Sequence, residues 1–170
     1  MFKLKSVIAG SLFALSAVAA TSAFAASYTP APGSDTVTGP SSLTVAGFPI
    51  PCTASFTVGI NAAGAGSITA ASFSGSGACN AIVASNLPWP IAPPQGAGTA
   101  GVYTGAVTGA QVRVPSVGLT CTQQSTDNVT ITLNTNVSPH TASFSGTLHA
   151  GVLACGVNGG PYSTIVGISP

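Results

Sequence analysis

The chain has 170 residues, of which 45% are hydrophobic and only 3% are charged, with a formal net charge of +1. So small a positive charge excludes a basic footprint for nucleic acid and a polybasic patch for an anionic membrane. The apolar content also argues against disorder, which usually requires high charge and few apolar groups.

The first 25 residues have the features of a secretion signal. A basic start and an apolar run rich in Ala, Leu and Val end in the small-x-small pattern Ala23-Phe24-Ala25. A membrane anchor is disfavoured because the run is short and no basic stop-transfer flank follows it. We predict cleavage before Ala26 and a single secreted β domain over residues 26–170. The expected location is extracellular, with the periplasm as the alternative.

The mature part begins with a strand–turn–strand pattern. In residues 52–60, apolar side chains alternate strictly with Thr, Ser and Gly, which is the period of a half-buried strand. Residues 61–66 are a predicted turn, and residues 67–73 are predicted to return as the partner strand.

A proline-rich segment, residues 86–98, follows these strands. It holds Trp89, the one tryptophan of the chain, between two prolines. The prolines favour an extended segment that stays out of any central strand. Two roles remain open for Trp89. It is either an exposed contact for an apolar partner or, as is commoner for so large a side chain, a lid packed on the core.

Strand-like alternation resumes in the second part of the mature chain, at residues 117–122, 129–134 and 142–148. No segment after residue 25 shows the apolar stripe of a helix, and Thr and Val favour strands. We therefore predict an all-β fold, either an antiparallel β-sandwich or an open barrel, linked by disulfides.

Two short motifs occur twice. Apolar-x-Cys-Thr stands at residues 50–53 and 119–122, and Ala-Ser-Phe-Ser-Gly stands at residues 71–75 and 142–146. Two related halves, at about residues 41–90 and 111–168, would each carry one pair of cysteines. Chance similarity in a sequence of low diversity is the alternative.

The cysteines are Cys52, Cys79, Cys121 and Cys155, and four cysteines allow three disulfide connectivities. The repeat favours Cys52–Cys79 and Cys121–Cys155, each contributing roughly 3.5–4 kcal/mol in the chain-entropy description. Such bonds persist in secreted compartments. A zinc site is disfavoured because the chain has no Cys-x-x-Cys and no paired His spacing. We predict neither a metal nor a cofactor.

Groups suited to catalysis are scarce. His140 and His149 are the only histidines, Asp35 and Asp127 are the only acidic residues, and no Gly-x-Ser-x-Gly elbow is present. We interpret both histidines as surface or strand-end polar residues because they lack evident partners. The prediction is a protein that is not an enzyme.

Five segments of the first half carry a resemblance to a known family, at residues 28–33 (YTPAPG), 39–45 (GPSSLTV), 49–53 (PIPCT), 71–79 (ASFSGSGAC) and 86–89 (NLPW). In these segments the chain resembles the PraA/PraB-type alkane-oxidation activator proteins of Gram-negative bacteria. The resemblance implies a small secreted protein that promotes growth on, or emulsification of, long-chain alkanes. It implies no catalytic residues.

These observations lead to one functional hypothesis and one alternative. We expect a secreted, non-enzymatic accessory protein that acts by contact with an oil–water boundary or a cell surface, with self-association and without nucleic acid or a membrane span. The alternative is a fibre, pilus-like or adhesion subunit of a biofilm matrix. Its terminal segment, residues 162–168, would then pair with neighbouring subunits along exposed strand edges.

Overall fold

The computed structural model describes residues 26–96 and 100–169, so the predicted signal at residues 1–25 lies outside the described residues. The strands of the first half are β1 (Ser27–Thr29), β2 (Gly33–Val45), β3 (Phe48–Ile60), β4 (Gly66–Gly75), β5 (Val83–Ser85), β6 (Trp89–Ile91) and β7 (Gln95–Gly96). Those of the second half are β8 (Val102–Val107), β9 (Gln111–Val114), β10 (Leu119–Thr122), β11 (Val129–Asn134), β12 (His140–Ala150), β13 (Leu153–Thr164) and β14 (Gly167–Ser169). Two short helical turns accompany them, α1 (Gly77–Asn80) and the 3-10 turn η1 (Pro115–Val117).

Eight of these strands form a closed antiparallel barrel. In chain order they are β2, β3, β4, β6, β8, β11, β12 and β13, and β13 pairs back onto β2. Strand β11 closes the ring because it pairs with both β8 and β12. The prediction of an all-β fold is confirmed, and of the two architectures considered it is the barrel that forms. Closure leaves no free edge in the ring.

A smaller sheet lies outside the ring. Strands β10, β9 and β5 continue from β12 in that order, and we call these three strands the side sheet. Val112 and Val114 of β9 are buried, whereas Arg113 between them is exposed. The side sheet therefore turns an apolar face towards the barrel and a polar face outwards.

Alternation along β3 shows how the sequence produces the barrel wall. Ala54, Phe56 and Ile60 are buried inside the barrel, and hydroxyl residues alternate with them on the outer face. On that face the hydroxyls pair across strands, with Thr36 Oγ1 3.1 Å from Thr57 Oγ1. The interior is thus apolar and the outer wall is rich in uncharged hydroxyl groups.

The expectation that residues 86–98 stay out of any central strand is wrong. Within this segment β6 completes the ring between β4 and β8. Pro90 lacks an N–H, but its carbonyl accepts a hydrogen bond from Thr108 N at 3.0 Å, and Ala92 N donates to the carbonyl of Ala106 at 2.8 Å. Because β6 has only three residues, one missing donor is tolerated.

The two halves contribute equally to the ring, with β2, β3, β4 and β6 from the first and β8, β11, β12 and β13 from the second. The copies of Ala-Ser-Phe-Ser-Gly lie in barrel strands β4 and β12. The copies of Cys-Thr lie in different surroundings, one in barrel strand β3 and one in side-sheet strand β10. An origin by duplication stays a prediction.

Candidate functional site

Both predicted disulfides are present. Cys52 is bonded to Cys79 and Cys121 to Cys155, so all four thiols are engaged and none serves as a metal ligand. Each bond joins a barrel strand to an element outside the ring, β3 to α1 and β13 to β10. Since α1 leads into β5, the two bonds attach the side sheet to the barrel at both of its margins.

The barrel interior holds a first apolar cavity of about 50 Å³ beneath the side sheet. Leu43, Trp89 and Val107 line it from the barrel, and Ile82 and Val112 line it from the side-sheet region. The disulfides therefore hold in place the cover of this cavity.

A second apolar cavity of about 60 Å³ lies towards the other end of the barrel. Its lining includes Tyr28, Val37, Leu133, Tyr162 and Thr164. Four side chains line both cavities and separate them, and we call these four the waist: Phe56, Ile68, Ile131 and Phe144. A single layer of side chains thus divides one continuous apolar interior.

Aromatic contacts order the waist. The Phe56 ring meets Phe144 edge to face, with ring centroids 4.9 Å apart, and it meets Tyr162 edge to face at 6.0 Å. Phe144 and Tyr162 are stacked at 5.9 Å. Such offset and edge contacts stabilise the arrangement by about 0.5–1.5 kcal/mol per pair beyond the burial of area.

Two tyrosines are buried inside the barrel, and their hydroxyls differ. Tyr28 Oη donates to the carbonyl of Ala92 at 3.1 Å. Tyr162 Oη is buried and has no hydrogen-bond partner among the described residues. Burial raises the pKa of Tyr28 to about 12 and the pKa of Tyr162 also rises through burial, because the ionised phenolate is poorly solvated inside the barrel.

Trp89 is part of the core and not an exposed contact. Its side chain is only 5% exposed, its indole Nε1 donates to the carbonyl of Ser85 at 2.9 Å, and it lines the first cavity. Of the two roles left open for Trp89, the packed position is the one observed, and an exposed contact for a partner is not. Apolar contact at Trp89 is available only from within the barrel.

Three exposed apolar side chains lie at one end of the barrel. The hairpin turns β2–β3 and β12–β13 are neighbours there, because Val45 pairs with both Phe48 and Cys155. Phe48 is 75% exposed, Val152 is 97% exposed and Leu153 is also exposed. We call Phe48, Val152 and Leu153 the rim. Folding does not require two exposed apolar residues such as Phe48 and Val152 beside one mouth of the barrel.

Sequence reasoning missed the rim. Phe48 stands on the inward row of β3 and Leu153 on the inward row of β13, so alternation alone predicts that they are buried. The sequence signal that could have indicated their exposure is the presence of turn glycines close to Phe48 and Leu153. Gly47 and Gly151 both have positive φ, which places the ends of these hairpins at the end of the barrel.

The charged residues occupy separate structural positions. Asp127 Oδ1 lies 2.8 Å from His149 Nδ1, and the Gln124 N–H donates to Asp127 Oδ2 at 2.8 Å. The Gln124 N–H, and to a smaller extent His149, hold the pKa of Asp127 below its ordinary value, against desolvation. Asp35 accepts from Thr164 Oγ1 and from the backbone N–H of Ile165 at 2.9 Å.

His140 is the first residue of strand β12, and its Nδ1 lies 3.0 Å from the carbonyl of Val166. Within the part of the chain that the structure describes, no three His, Cys, Asp or Glu side chains form a group able to hold a metal ion. No helix among the described residues has the length and apolar character that crossing a membrane demands.

The closed antiparallel barrel, its two disulfides and its apolar interior place the chain in the class of disulfide-bonded all-β barrel proteins. The chain belongs to the family of PraA/PraB-like alkane oxidation protein activators, whose family model matches residues 1–165. The resemblance found in the first half of the sequence is thereby confirmed and extends over nearly the whole chain. No match was found among curated proteins or among solved structures.

The family name indicates activation of alkane oxidation, which is consistent with a protein that assists an oxidation carried out elsewhere. The two disulfides are compatible with an extracellular or periplasmic protein.

Proposed function

We propose that this protein is a secreted, non-enzymatic accessory protein that promotes alkane oxidation or emulsification by contact through the rim. The observation that carries the proposal is the exposure of Phe48 and Val152 at one end of the barrel. Each apolar side chain removed from water at a hydrocarbon surface contributes about 25 cal/mol per Å². The family's link to alkane oxidation supports the choice of a hydrocarbon surface.

The rest of the surface suits this role. The mature chain carries Arg113, Asp35 and Asp127 as its only formally charged side chains. Desolvating charge near oil is costly, and here few charges oppose an approach by the rim. The outer wall supplies neutral hydroxyls that remain hydrated on the water side.

Residues 26–170 should lower hexadecane–water interfacial tension and keep hexadecane dispersed. The variant Phe48→Ser/Val152→Ser should lose most of this effect because it removes the two most exposed apolar side chains of the rim. Both sites are exposed, so the free energy of unfolding should change by no more than about 0.5 kcal/mol per site. Pendant-drop tensiometry and light scattering of the dispersion are the measurements.

The matched control is Ile165→Ser. Ile165 is 65% exposed and follows the end of β13 opposite to the rim. It should behave as the unsubstituted protein does. A protein that neither lowers the tension nor disperses hexadecane would exclude the proposal, and so would equal losses in the rim and control variants. Fractionation with a tag after residue 170 tests the secreted location.

In the fibre alternative, residues 162–168 would pair with a neighbouring subunit, but in the structure they are already paired within the chain. Residues 162–164 belong to β13, with Thr164 opposite His140 of β12, and β14 pairs with β1. Residues 162–168 are therefore engaged within the chain. Electron microscopy at rising protein concentration separates the alternatives, since ordered filaments would favour the subunit and monodisperse monomers the accessory protein.

A further inference from the structure

Tyr162 presents a polar group where the barrel otherwise offers almost none. Its side chain is 2% exposed, and its Oη has no hydrogen-bond partner among the described residues. Buried polar atoms are nearly always partnered in folded proteins, and an unpartnered one requires an explanation. The neighbouring Tyr28 shows that the interior can provide a partner, because its hydroxyl is bonded to the carbonyl of Ala92.

The polar atoms beside Tyr162 are already committed. Thr164 Oγ1 donates to Asp35 and accepts from the N–H of Val166. The remaining lining of the second cavity is predominantly hydrocarbon, and its other hydroxyl residues are Ser143 and Tyr28, of which Tyr28 is bonded to the carbonyl of Ala92. The free hydrogen-bonding capacity of Tyr162 therefore lies next to an apolar space.

Phe144 links this hydroxyl to both cavities. Its ring stacks on Tyr162, and its side chain lines the first and second cavities together with the rest of the waist. Because the waist separates the two cavities, a ligand that spans both must displace waist side chains, Phe144 among them. Among the buried hydroxyl groups of the described lining residues, Tyr162 Oη is the one without a hydrogen-bond partner.

A charged ligand does not suit this space. Among the described residues, no Lys or Arg side chain lines either cavity, and the Asp35 carboxylate lies behind Thr164. Arg113 is exposed on the side sheet between two buried valines. An uncompensated carboxylate inside the barrel would lose its hydration without gaining a cation.

We propose that the barrel interior binds a neutral alkyl chain ending in a single oxygen, of the linear primary alcohol class. The chain lies in the two cavities across the waist, and its hydroxyl exchanges a hydrogen bond with Tyr162 Oη. The cavities, at about 50 and 60 Å³, are even together smaller than the roughly 150 Å³ that holds benzene in a well-studied engineered protein cavity. A six-carbon chain therefore occupies both cavities and requires the waist side chains to move apart.

Trp89 provides the probe, because it is the one tryptophan of the chain and lines the first cavity. Residues 26–170 are titrated with 1-hexanol and, separately, with n-hexane, and the fluorescence of Trp89 is followed. Hexanol should give a saturable change. Tyr162→Phe should weaken hexanol binding at least about fivefold, because the ligand hydroxyl is then buried without a partner, and should leave hexane binding undiminished.

Tyr103→Phe is the matched control, since it removes a hydroxyl from a half-buried tyrosine that lines neither cavity. It should leave the ratio of hexanol to hexane affinity unchanged. Tyr162→Phe removes an unpartnered atom without changing the ring, and its thermal midpoint should be no lower than that of the unsubstituted protein. Absence of saturable hexanol binding would overturn the proposal, as would an unchanged affinity ratio in Tyr162→Phe. The proposal concerns the interior and does not depend on the rim, so either test can fail alone.

Discussion

Glycine positions decide where the tyrosine rings lie inside the barrel. A Cβ added at Gly105 would overlap Tyr28 Oη, and one added at Gly159 would overlap Tyr162 Oη. Both glycines face the barrel interior. Because they have no side chain, a tyrosine ring can occupy the space next to their Cα atoms, and close packing therefore requires glycine at these positions. Neither Gly105 nor Gly159 has a positive φ. These two glycines are therefore required for packing, whereas the turn glycines are required for their left-handed backbone conformation.

Gly105→Ala should destabilise the protein by about 1–3 kcal/mol, because the new methyl group overlaps Tyr28 Oη and lies 3.0 Å from Ile91 Cγ2. Urea unfolding followed by circular dichroism measures the change. Adding Tyr28→Phe should recover part of the loss, since it removes the overlapping atom. Gly77→Ala is the control, because nothing lies within 4 Å of a Cβ at that position. Equal effects at 77 and 105 would contradict the packing argument.

The buried phenols should make stability depend on alkaline pH. The pKa of Tyr28 is raised from 10.0 to about 12, so the folded state holds this proton more tightly than the unfolded state does. The stabilisation is complete below pH 10 and is lost as the pH rises from 10 towards 12. The free energy of unfolding should fall by at most about 1.4 kcal/mol per pH unit for each tyrosine, and by less where solvent reaches the ring.

Urea unfolding at a series of pH values between 8 and 11 tests this dependence. Tyr162, whose pKa burial also raises, contributes in the same direction. Tyr28→Phe should therefore reduce the slope without abolishing it. A slope that is the same with and without Tyr28 would show that its ring is not buried in solution.

At the scale of elements, alternation predicted where strands lie in the chain more reliably than it predicted which strands pair with each other. Residues 52–60, 129–134 and 142–148 were expected to be strands and lie in β3, β11 and β12. The strand predicted at residues 117–122 is β10, which lies in the side sheet outside the ring. Periodicity reports that one face of a strand is buried, but it does not report which sheet covers that face.

The short elements β6 and η1 were not predicted from the sequence, because alternation needs more residues than these elements contain. Strand β6 has three residues, in which buried Trp89 and Ile91 flank exposed Pro90. The 3-10 turn η1 includes Val117, which was expected to be the first residue of a strand. Their conformation is set by neighbouring strands and by the fixed φ of proline. The rim and the Tyr162 site were likewise beyond periodicity, because both depend on where the strands end in the barrel.

The Cys121–Cys155 bond should control the side sheet locally. Cys121→Ala/Cys155→Ala should lower the free energy of unfolding by roughly 3.5 kcal/mol, as expected for a loop of this length. Amide hydrogen exchange should rise most in β9 and β10, which the bond attaches to β13. The comparison variant Cys52→Ala/Cys79→Ala should act instead on α1 and β5. A uniform loss of protection in both variants would contradict a locally anchored cover.

At the scale of the whole molecule, closure of the ring could not be predicted from local pattern. It depends on β13 reaching β2, where Cys155 pairs with Val45 and Gly159 pairs with Ser41. No local signal encodes pairing across so many residues, and the sandwich and the barrel share the same alternation. The pairing of the cysteines was predictable because the repeated motif, and not the topology, indicated it.

The order of strands around the ring also has a consequence for synthesis. The order of the strands around the ring is their order in the chain, so each new barrel strand pairs with the one made before it. Until β13 has been made, β2 keeps an unpaired edge and the apolar interior faces water along an open seam. The barrel therefore cannot close until the C-terminal strands are present, and the chain is most prone to aggregate just before the last barrel strand is in place.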